Sequence, residues 1–140
     1  MSFGPAAQRP HALPGDAPCP CGGGRFAECC GPLLGGVPAD APEALMRSRY
    51  TAFAVGDTVY LLATWHPSTA PERIDLDPAQ RWDRLEIVDS SLDGRRGSVE
   101  FRAHWSAGAD GGVLHEVSRF RLAAGRWYYL DGDVDAIRTF

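Results

Sequence analysis

All four cysteines of the chain fall into two close pairs, which are separated by a glycine-rich stretch. The first pair is Cys19 and Cys21, and the second is the adjacent Cys29 and Cys30. Two such pairs joined by a turn can present four sulfurs to one point, and four thiolates form the tetrahedral shell that structural zinc prefers. The spacing therefore predicts a zinc ion bound by these four residues. A closed shell of four protein ligands leaves no position for a substrate, so we expect this zinc to be structural.

Disulfides, a redox-active pair and another thiophilic metal are the alternative uses of these cysteines. Disulfides need an oxidising compartment. The first 18 residues show no basic start followed by an apolar stretch, which a secretory signal would have. No run approaches the roughly 20 apolar residues that cross a membrane. We therefore expect a cytoplasmic protein without a membrane segment, in which reduced thiols bind metal.

Composition limits the remaining possibilities. A chain of 140 residues, 44% hydrophobic and 23% charged, can bury the core of one domain and carry a small appendage. Its net charge is −4, and its isoelectric point is near 5.5. This acidic balance argues against nucleic acid as a partner, because binding to the phosphate backbone depends on clustered Lys and Arg.

The chain divides into three predicted segments. Residues 1–18 are rich in Pro, Gly and Ala without periodicity, and we expect a flexible tail. Residues 19–36 form the cysteine knuckle, which is too short to hold a core without its metal. Residues 40–135 form the main domain.

Two helices are predicted at the start of the main domain. The first covers residues 42–55, with an apolar stripe at helical spacing and Gly56 just past its end. The second covers residues 58–65 and is capped by Asp57. The apolar stripe consists of Leu45, Met46, Tyr50, Phe53 and Ala54.

From Trp82 onward the apolar residues recur at every second position, which predicts about four antiparallel strands. Turn signals lie at residues 92–97, 108–112 and 124–125. Helices followed by such strands indicate an α+β fold, with the helices packed against one face of the sheet.

Several charged and histidine side chains of these strands are predicted to lie on the sheet surface. His104 and His115 occupy mid-strand positions there. Phe101 and Trp105 either fill the core of this chain or form a homodimer interface. Cross-strand charge pairs on the solvated face are expected to involve Glu86, Glu100, Arg102 and Glu116.

The knuckle resembles the SEC-C motif, which is a zinc-binding element with the pattern Cys-x-Cys, a glycine-containing stretch and then Cys-Cys or Cys-His. Further blocks resemble the YchJ family in the order of that family, at residues 45–53, 64–68, 118–120 and 127–132. The resemblance implies a SEC-C element joined to a domain similar to nuclear transport factor two. That fold is a curved antiparallel sheet wrapped against helices, often around a cavity.

The polar and aromatic members of these blocks are the candidate ligand-binding residues. We expect Arg47 and Arg49 to point away from the apolar stripe of the first helix. The set could bind a small anion, or His66 could act as a base oriented by Asp131. The alternative is that its Arg and Asp members form structural ion pairs. The candidates are Arg47, Arg49, Tyr50, Trp65, His66, Arg119, Tyr128 and Asp131.

The leading functional hypothesis is a non-enzymatic zinc-binding protein. In it, the knuckle is an adaptor for a protein partner, and the main domain binds a small molecule or a peptide. A second hypothesis is a small isomerase, dehydratase or hydrolase that uses the cavity. A third is a ribosome- or translocation-associated factor that binds through the knuckle.

Overall fold

The computed structural model describes residues 13–138, and side-chain burial through residue 135. A short 3-10 turn, Phe26–Glu28, precedes three helices and four strands. The helices are α1 (Cys30–Leu34), α2 (Pro42–Val55) and α3 (Thr58–Ala63). The strands are β1 (Arg81–Asp93), β2 (Arg96–Ala107), β3 (Asp110–Ala123) and β4 (Arg126–Arg138).

The strands form one curved, open antiparallel sheet in the order β1-β2-β3-β4. Consecutive strands are joined by two-residue turns, which require left-handed backbone at one or both positions. At the last turn Ala124 has φ 50° and Gly125 has φ 77°. The predicted α+β class and antiparallel sheet are confirmed, although the middle turn is shorter than expected because β3 already begins at Asp110.

Helix α2 has the predicted bounds. Pro42 occupies its first turn, where a missing N–H costs no hydrogen bond. Gly56 ends it in the left-handed conformation, with φ 80°. The helix packs against β1, β2 and β4 on one side and against α1 on another, so it is the central element of the fold.

Helix α3 begins where expected, because the Asp57 carboxylate accepts a hydrogen bond from the Tyr60 N–H at 3.0 Å. The predicted end at residue 65 is wrong, since the helix stops at Ala63. Trp65 instead forms a parallel bridge with Tyr129 of β4. Tyr129 N–H donates to Thr64 O at 2.8 Å and His66 N–H donates to Tyr129 O at 2.7 Å, so pairing with the sheet replaces the last helical turn.

The core lies between α2 and the inner face of the sheet. Alternate β2 residues point inward as predicted, with Val99, Phe101 and Ala103 buried. Phe101 therefore fills the core of this chain, while Trp105 is half-buried and a homodimer stays a prediction. Cys19, Cys21 and Cys30 belong to the same buried cluster.

On the outer face, cross-strand pairs form between Glu86 and His104, at 2.5 Å, and between Glu100 and His115, at 2.7 Å. The prediction for Glu116 is wrong, because this side chain is 9% exposed and points into the core. It shares strand parity with Phe120, which is also buried, and in a strand the parity decides the face. Across the described residues, no helix has the length and apolar character to span a membrane.

Replacing Asp57 tests the start of α3. We expect Asp57→Ala to lower the free energy of unfolding by about 1 kcal/mol, because the cap to Tyr60 N–H is lost. Asp57→Asn keeps a capping oxygen and serves as the matched control. Urea denaturation measures both variants, and equal stability of the alanine and asparagine variants would contradict the capping role.

Candidate metal centre and adjoining cavity

The first cysteine pair lies on a tight loop that turns both thiols inward. Cys19 N–H donates to Gly24 O at 2.7 Å, and Gly22 N–H donates to Cys19 O at 2.9 Å. Gly22 and Gly24 have φ values of 84° and 124°, a region that side chains disfavour. The glycine-rich stretch therefore closes the loop around the sulfurs.

The second pair follows the 3-10 turn, and Cys30 begins α1. Cys29 precedes it with φ −127° and ψ −103°. This break between the 3-10 turn and α1 allows two adjacent thiols to approach the same point. Residues 13–18 of the predicted tail also contact the knuckle. Phe26 N–H donates to Ala17 O and Ala27 N–H donates to Gly15 O, both at 2.9 Å. Residues 1–12 of that tail lie outside the described residues.

The four sulfurs lie within 4.8 Å of one another, and none is in a disulfide. Cys21 Sγ is 3.4 Å from Cys29 Sγ, and Cys29 Sγ is 4.0 Å from Cys30 Sγ. A tetrahedral shell with metal–sulfur bonds of about 2.3 Å has sulfur–sulfur edges of about 3.8 Å. The sulfur arrangement therefore fits a metal ion of this kind.

Gly23 has no side chain, and the cysteine sulfurs occupy the space where its Cβ would lie. A Cβ at this position would lie 2.9 Å from Cys29 Sγ and 3.3 Å from Cys21 Sγ. The first distance is shorter than side-chain contacts normally reach. Only glycine therefore lets the loop pass this close to the cluster.

Three of the four thiols have shifted pKa values. A hydrogen bond from Cys30 is the main cause that lowers the pKa of Cys21 to about 5. Burial is the main cause that raises the pKa of Cys29 to about 12, and the hydrogen bond with Cys21 raises the pKa of Cys30. These shifts favour the thiolate form of Cys21 and the protonated forms of Cys29 and Cys30. A bound cation would stabilise all four as thiolates.

Helix α2 supports the cluster from one side. Thr51 is fully buried, and its Oγ1 lies 3.6 Å from Cys19 Sγ. Arg47 donates to Cys21 O and to the Glu43 carboxylate, both at 3.1 Å. Arg47 therefore joins the knuckle to the helix. Sequence reasoning missed Thr51, because nothing local shows which helix face meets the knuckle.

Arg49 lies on the opposite side of α2, and the prediction that it points away from the apolar stripe is wrong. It lines a cavity of about 180 Å³ with Met46 and Phe53, which share its face at helical spacing. Only 3% of Arg49 is exposed. Its Nη1 donates to Leu61 O at 2.8 Å and to Thr64 Oγ1 at 2.7 Å.

Aromatic rings surround the Arg49 guanidinium. Its central carbon lies 4.6 Å from the ring centroid of Tyr129 and 5.2 Å from that of Trp65. Burial lowers the pKa of Arg49 to about 10, so the group stays charged near neutral pH. Cation–π contacts and neutral acceptors, rather than a carboxylate, hold this charge.

Glu116 supplies the negative charge of the same cavity. Its Oε2 accepts hydrogen bonds from Ser118 at 2.5 Å and from the Tyr129 hydroxyl at 3.1 Å. Gly132 makes room for the carboxylate, since a Cβ there would lie closer to Glu116 Oε2 than atoms can approach. In the sequence, the even spacing between Glu116 and Phe120 in one strand was the signal that could have predicted an inward-facing Glu116.

A second cavity of about 240 Å³ adjoins the first and is mainly apolar. Met46, Phe53, Phe101 and Glu116 line both cavities. Two buried polar atoms around these cavities lack a protein partner within the described part of the chain, namely the Tyr50 hydroxyl and Trp65 Nε1.

The other candidates lie elsewhere. Arg119 donates to Asp131 at 2.6 Å and to Asp133 at 2.9 Å, in a largely exposed cross-strand group. His66 Nδ1 bonds with the Ser68 hydroxyl at 2.7 Å, and the His66 ring packs edge-on against Tyr128. His66 and Asp131 therefore have different partners. The structure divides the eight candidates among the knuckle contact, the cavity and the surface.

A four-cysteine knuckle beside a curved sheet that wraps around a helix defines a SEC-C protein with a domain similar to nuclear transport factor two (NTF2-like). The family model described as "YchJ, middle NTF2-like domain" matches residues 41–132. The chain belongs to the YchJ family, and the relatives that it matches are named UPF0225 proteins.

Two relatives and two solved structures show the extent of this similarity. A UPF0225 protein from Streptomyces coelicolor is 53% identical, covering 83% of this chain and 94% of the relative. One from Chromobacterium violaceum is 48% identical, covering 83% and 92%. A SEC-C motif containing protein from Rhodopseudomonas palustris has a TM-score of 0.74 and 40% identity, covering 84% of this chain and 98% of that one. Another from Psychrobacter arcticus has a TM-score of 0.64 and 30% identity, covering 76% and 71%.

Substituting Gly23 tests the space beside the sulfurs. We expect Gly23→Ala to lower metal content, because the added Cβ meets Cys29 Sγ at 2.9 Å. Gly35→Ala is the matched control, since its Cβ would have only ordinary contacts, at 3.4 Å or more. Metal per chain is measured by inductively coupled plasma mass spectrometry. Full metal content in Gly23→Ala would contradict the packing of the cluster.

The Arg119 group offers a test of the surface placement. Asp131→Asn should leave the melting temperature nearly unchanged, because exposed ion pairs contribute little to stability. Asp133→Asn, at the other end of Arg119, is the control and should behave alike. Severe unfolding of Asp131→Asn alone, measured by circular dichroism, would show that Asp131 belongs to a buried network instead.

Proposed function

We propose that this protein is a non-enzymatic zinc-binding protein whose knuckle fastens helix α2 and whose NTF2-like domain binds a small molecule. The observation that carries the first half is the group of four sulfurs within 4.8 Å of one another, packed on that helix. Four soft thiolates favour zinc among the metals available to cells. The proposal includes a cytoplasmic location, where thiols stay reduced.

The zinc would be held by Cys19, Cys21, Cys29 and Cys30, and would supply the positive charge that keeps four thiolates together. Two α2 groups then act on the loaded knuckle: Thr51 contacts the Cys19 sulfur and Arg47 fixes the Cys21 carbonyl. Such contacts orient metal ligands and increase metal affinity. Metal binding is thereby coupled to the position of the central helix.

The second half of the proposal rests on the cavity. Two adjoining spaces of about 180 and 240 Å³ are lined mainly by apolar and aromatic groups with few polar ones. This composition is typical of small-molecule sites. Their size and burial favour a small molecule over a peptide.

The enzyme hypothesis has less support. It needs His66 as a base oriented by Asp131, whereas His66 bonds with Ser68 and Asp131 with Arg119. A partner for the knuckle, whether a protein, the ribosome or the translocation machinery, stays a prediction. Cosedimentation that survives Cys→Ser changes would contradict binding through the knuckle.

Metal removal tests the zinc directly. We expect one zinc per chain in the purified protein and a clear fall in melting temperature after chelation. Zinc present at about a thousand times its dissociation constant stabilises the fold by about 4 kcal/mol, and all of this is lost without it. Native mass spectrometry and calorimetry measure the two effects. Four freely titrating thiols with an unchanged melting temperature would contradict the proposal, and bound iron would identify another metal.

A further inference from the structure

The two adjoining cavities are lined by one positive and one negative side chain. Among their lining residues, only Arg49 and Glu116 are charged. Both side chains are at most 9% exposed, and no ion pair joins them among residues 13–135. A ligand between them would therefore meet a cationic group and an anionic group in a cavity without net charge.

Hydrogen-bonding capacity remains at both groups. In the described part of the chain, Arg49 donates hydrogen bonds to protein acceptors only through Nη1. In the same part of the chain, Trp65 Nε1 is buried and has no hydrogen-bond acceptor. Glu116 accepts both of its protein hydrogen bonds at Oε2, which leaves Oε1 available. Buried groups with unused capacity cost stability unless water or a ligand satisfies them. The cavity lining thus offers a donor at Arg49 and an acceptor at Glu116.

A net charge on the ligand is disfavoured at this place. An anion would lie near Glu116 and a cation near Arg49, where like charges interact strongly because little water is present. A carboxamide avoids both costs. Its oxygen can accept from Arg49, and its N–H can donate to Glu116.

The second cavity indicates the rest of the ligand. Tyr50, Phe53, Trp82 and Phe101 contribute rings to its lining. Trp82 already packs edge-on or tilted against Tyr50 and Phe53, with centroids 6.2 Å apart in both pairs. Such surroundings suit a flat aromatic ring. A groove of about 470 Å³ shares Phe53, Trp65 and Trp82 with these cavities.

We propose that the cavity binds an uncharged aromatic carboxamide, or a cyclic amide of the same pattern. Its amide lies between Arg49 and Glu116, and its ring lies in the aromatic cavity. This inference rests on the proposed small-molecule binding of the domain and adds the chemical class of the ligand.

Three probes of similar size test the inference on the zinc-loaded full chain: benzamide, benzoate and benzylammonium. The readout is the indole N–H resonance of Trp65, assigned among the four tryptophans by its absence in Trp65→Phe. We expect benzamide to shift this resonance until it reaches saturation. Its dissociation constant should be on the order of tenfold lower than that of either charged probe.

Two variants add a charge test. Glu116→Gln should weaken benzamide binding and strengthen benzoate binding, because the cavity becomes net positive. Glu100→Gln is the matched control: Glu100 lies on the same sheet but pairs with His115 on the outer face, so no change is expected.

The outcomes separate the two proposals. Tighter binding of benzoate or benzylammonium than of benzamide would overturn the carboxamide assignment and leave small-molecule binding intact. No Trp65 shift with any of the three probes would also overturn the carboxamide assignment. If Glu116→Gln keeps the wild-type preference for benzamide, then Glu116 does not contact the ligand, and the proposed placement of the amide is wrong.

Discussion

The structure depends on four sulfurs gathered against one buried helix. Four thiolates within 4.8 Å of one another would repel, and burial raises the cost of ionising them, so a cation would be required to hold four charges there. The knuckle is also part of the main core: Cys19, Cys21 and Cys30 pack in the same cluster as Leu45 and Met46. A metal bound by these cysteines would therefore affect the packing of the domain core directly.

Helix α2 carries this coupling because its two sides face the two candidate sites. Arg47 and Thr51 contact the knuckle, and Met46 and Arg49 line the cavity. A shift of the helix on metal loss would move both sets of side chains together. The buried Arg49 adds to this constraint, since Leu61 O and Thr64 Oγ1 at the end of α3 hold it in place.

Local signals in the sequence predicted the features that local physics decides. Gly56 ends α2 and Asp57 caps α3, as their conformational preferences require. The cysteine spacing predicted a cluster that the fold brings together. The end of α3 was not predictable in this way, because pairing of Trp65 with a strand about sixty residues later replaces the last helical turn.

The polar members of the cavity were harder to predict, because their charge suggested the surface. Glu116 has the strand parity of core residues, and Arg49 has the helical spacing of Met46 and Phe53. Periodicity was the better guide in both cases. Arg47 is different: its bond to the Cys21 carbonyl depends on how the knuckle docks, which no pattern within α2 encodes.

X-ray absorption at the zinc edge of the purified protein tests the central claim most directly. Four cysteine ligands around zinc predict a single shell of four sulfurs at about 2.3 Å. A shell containing nitrogen or oxygen ligands, or the absence of a zinc edge, would contradict the claim that this cluster is a closed zinc site.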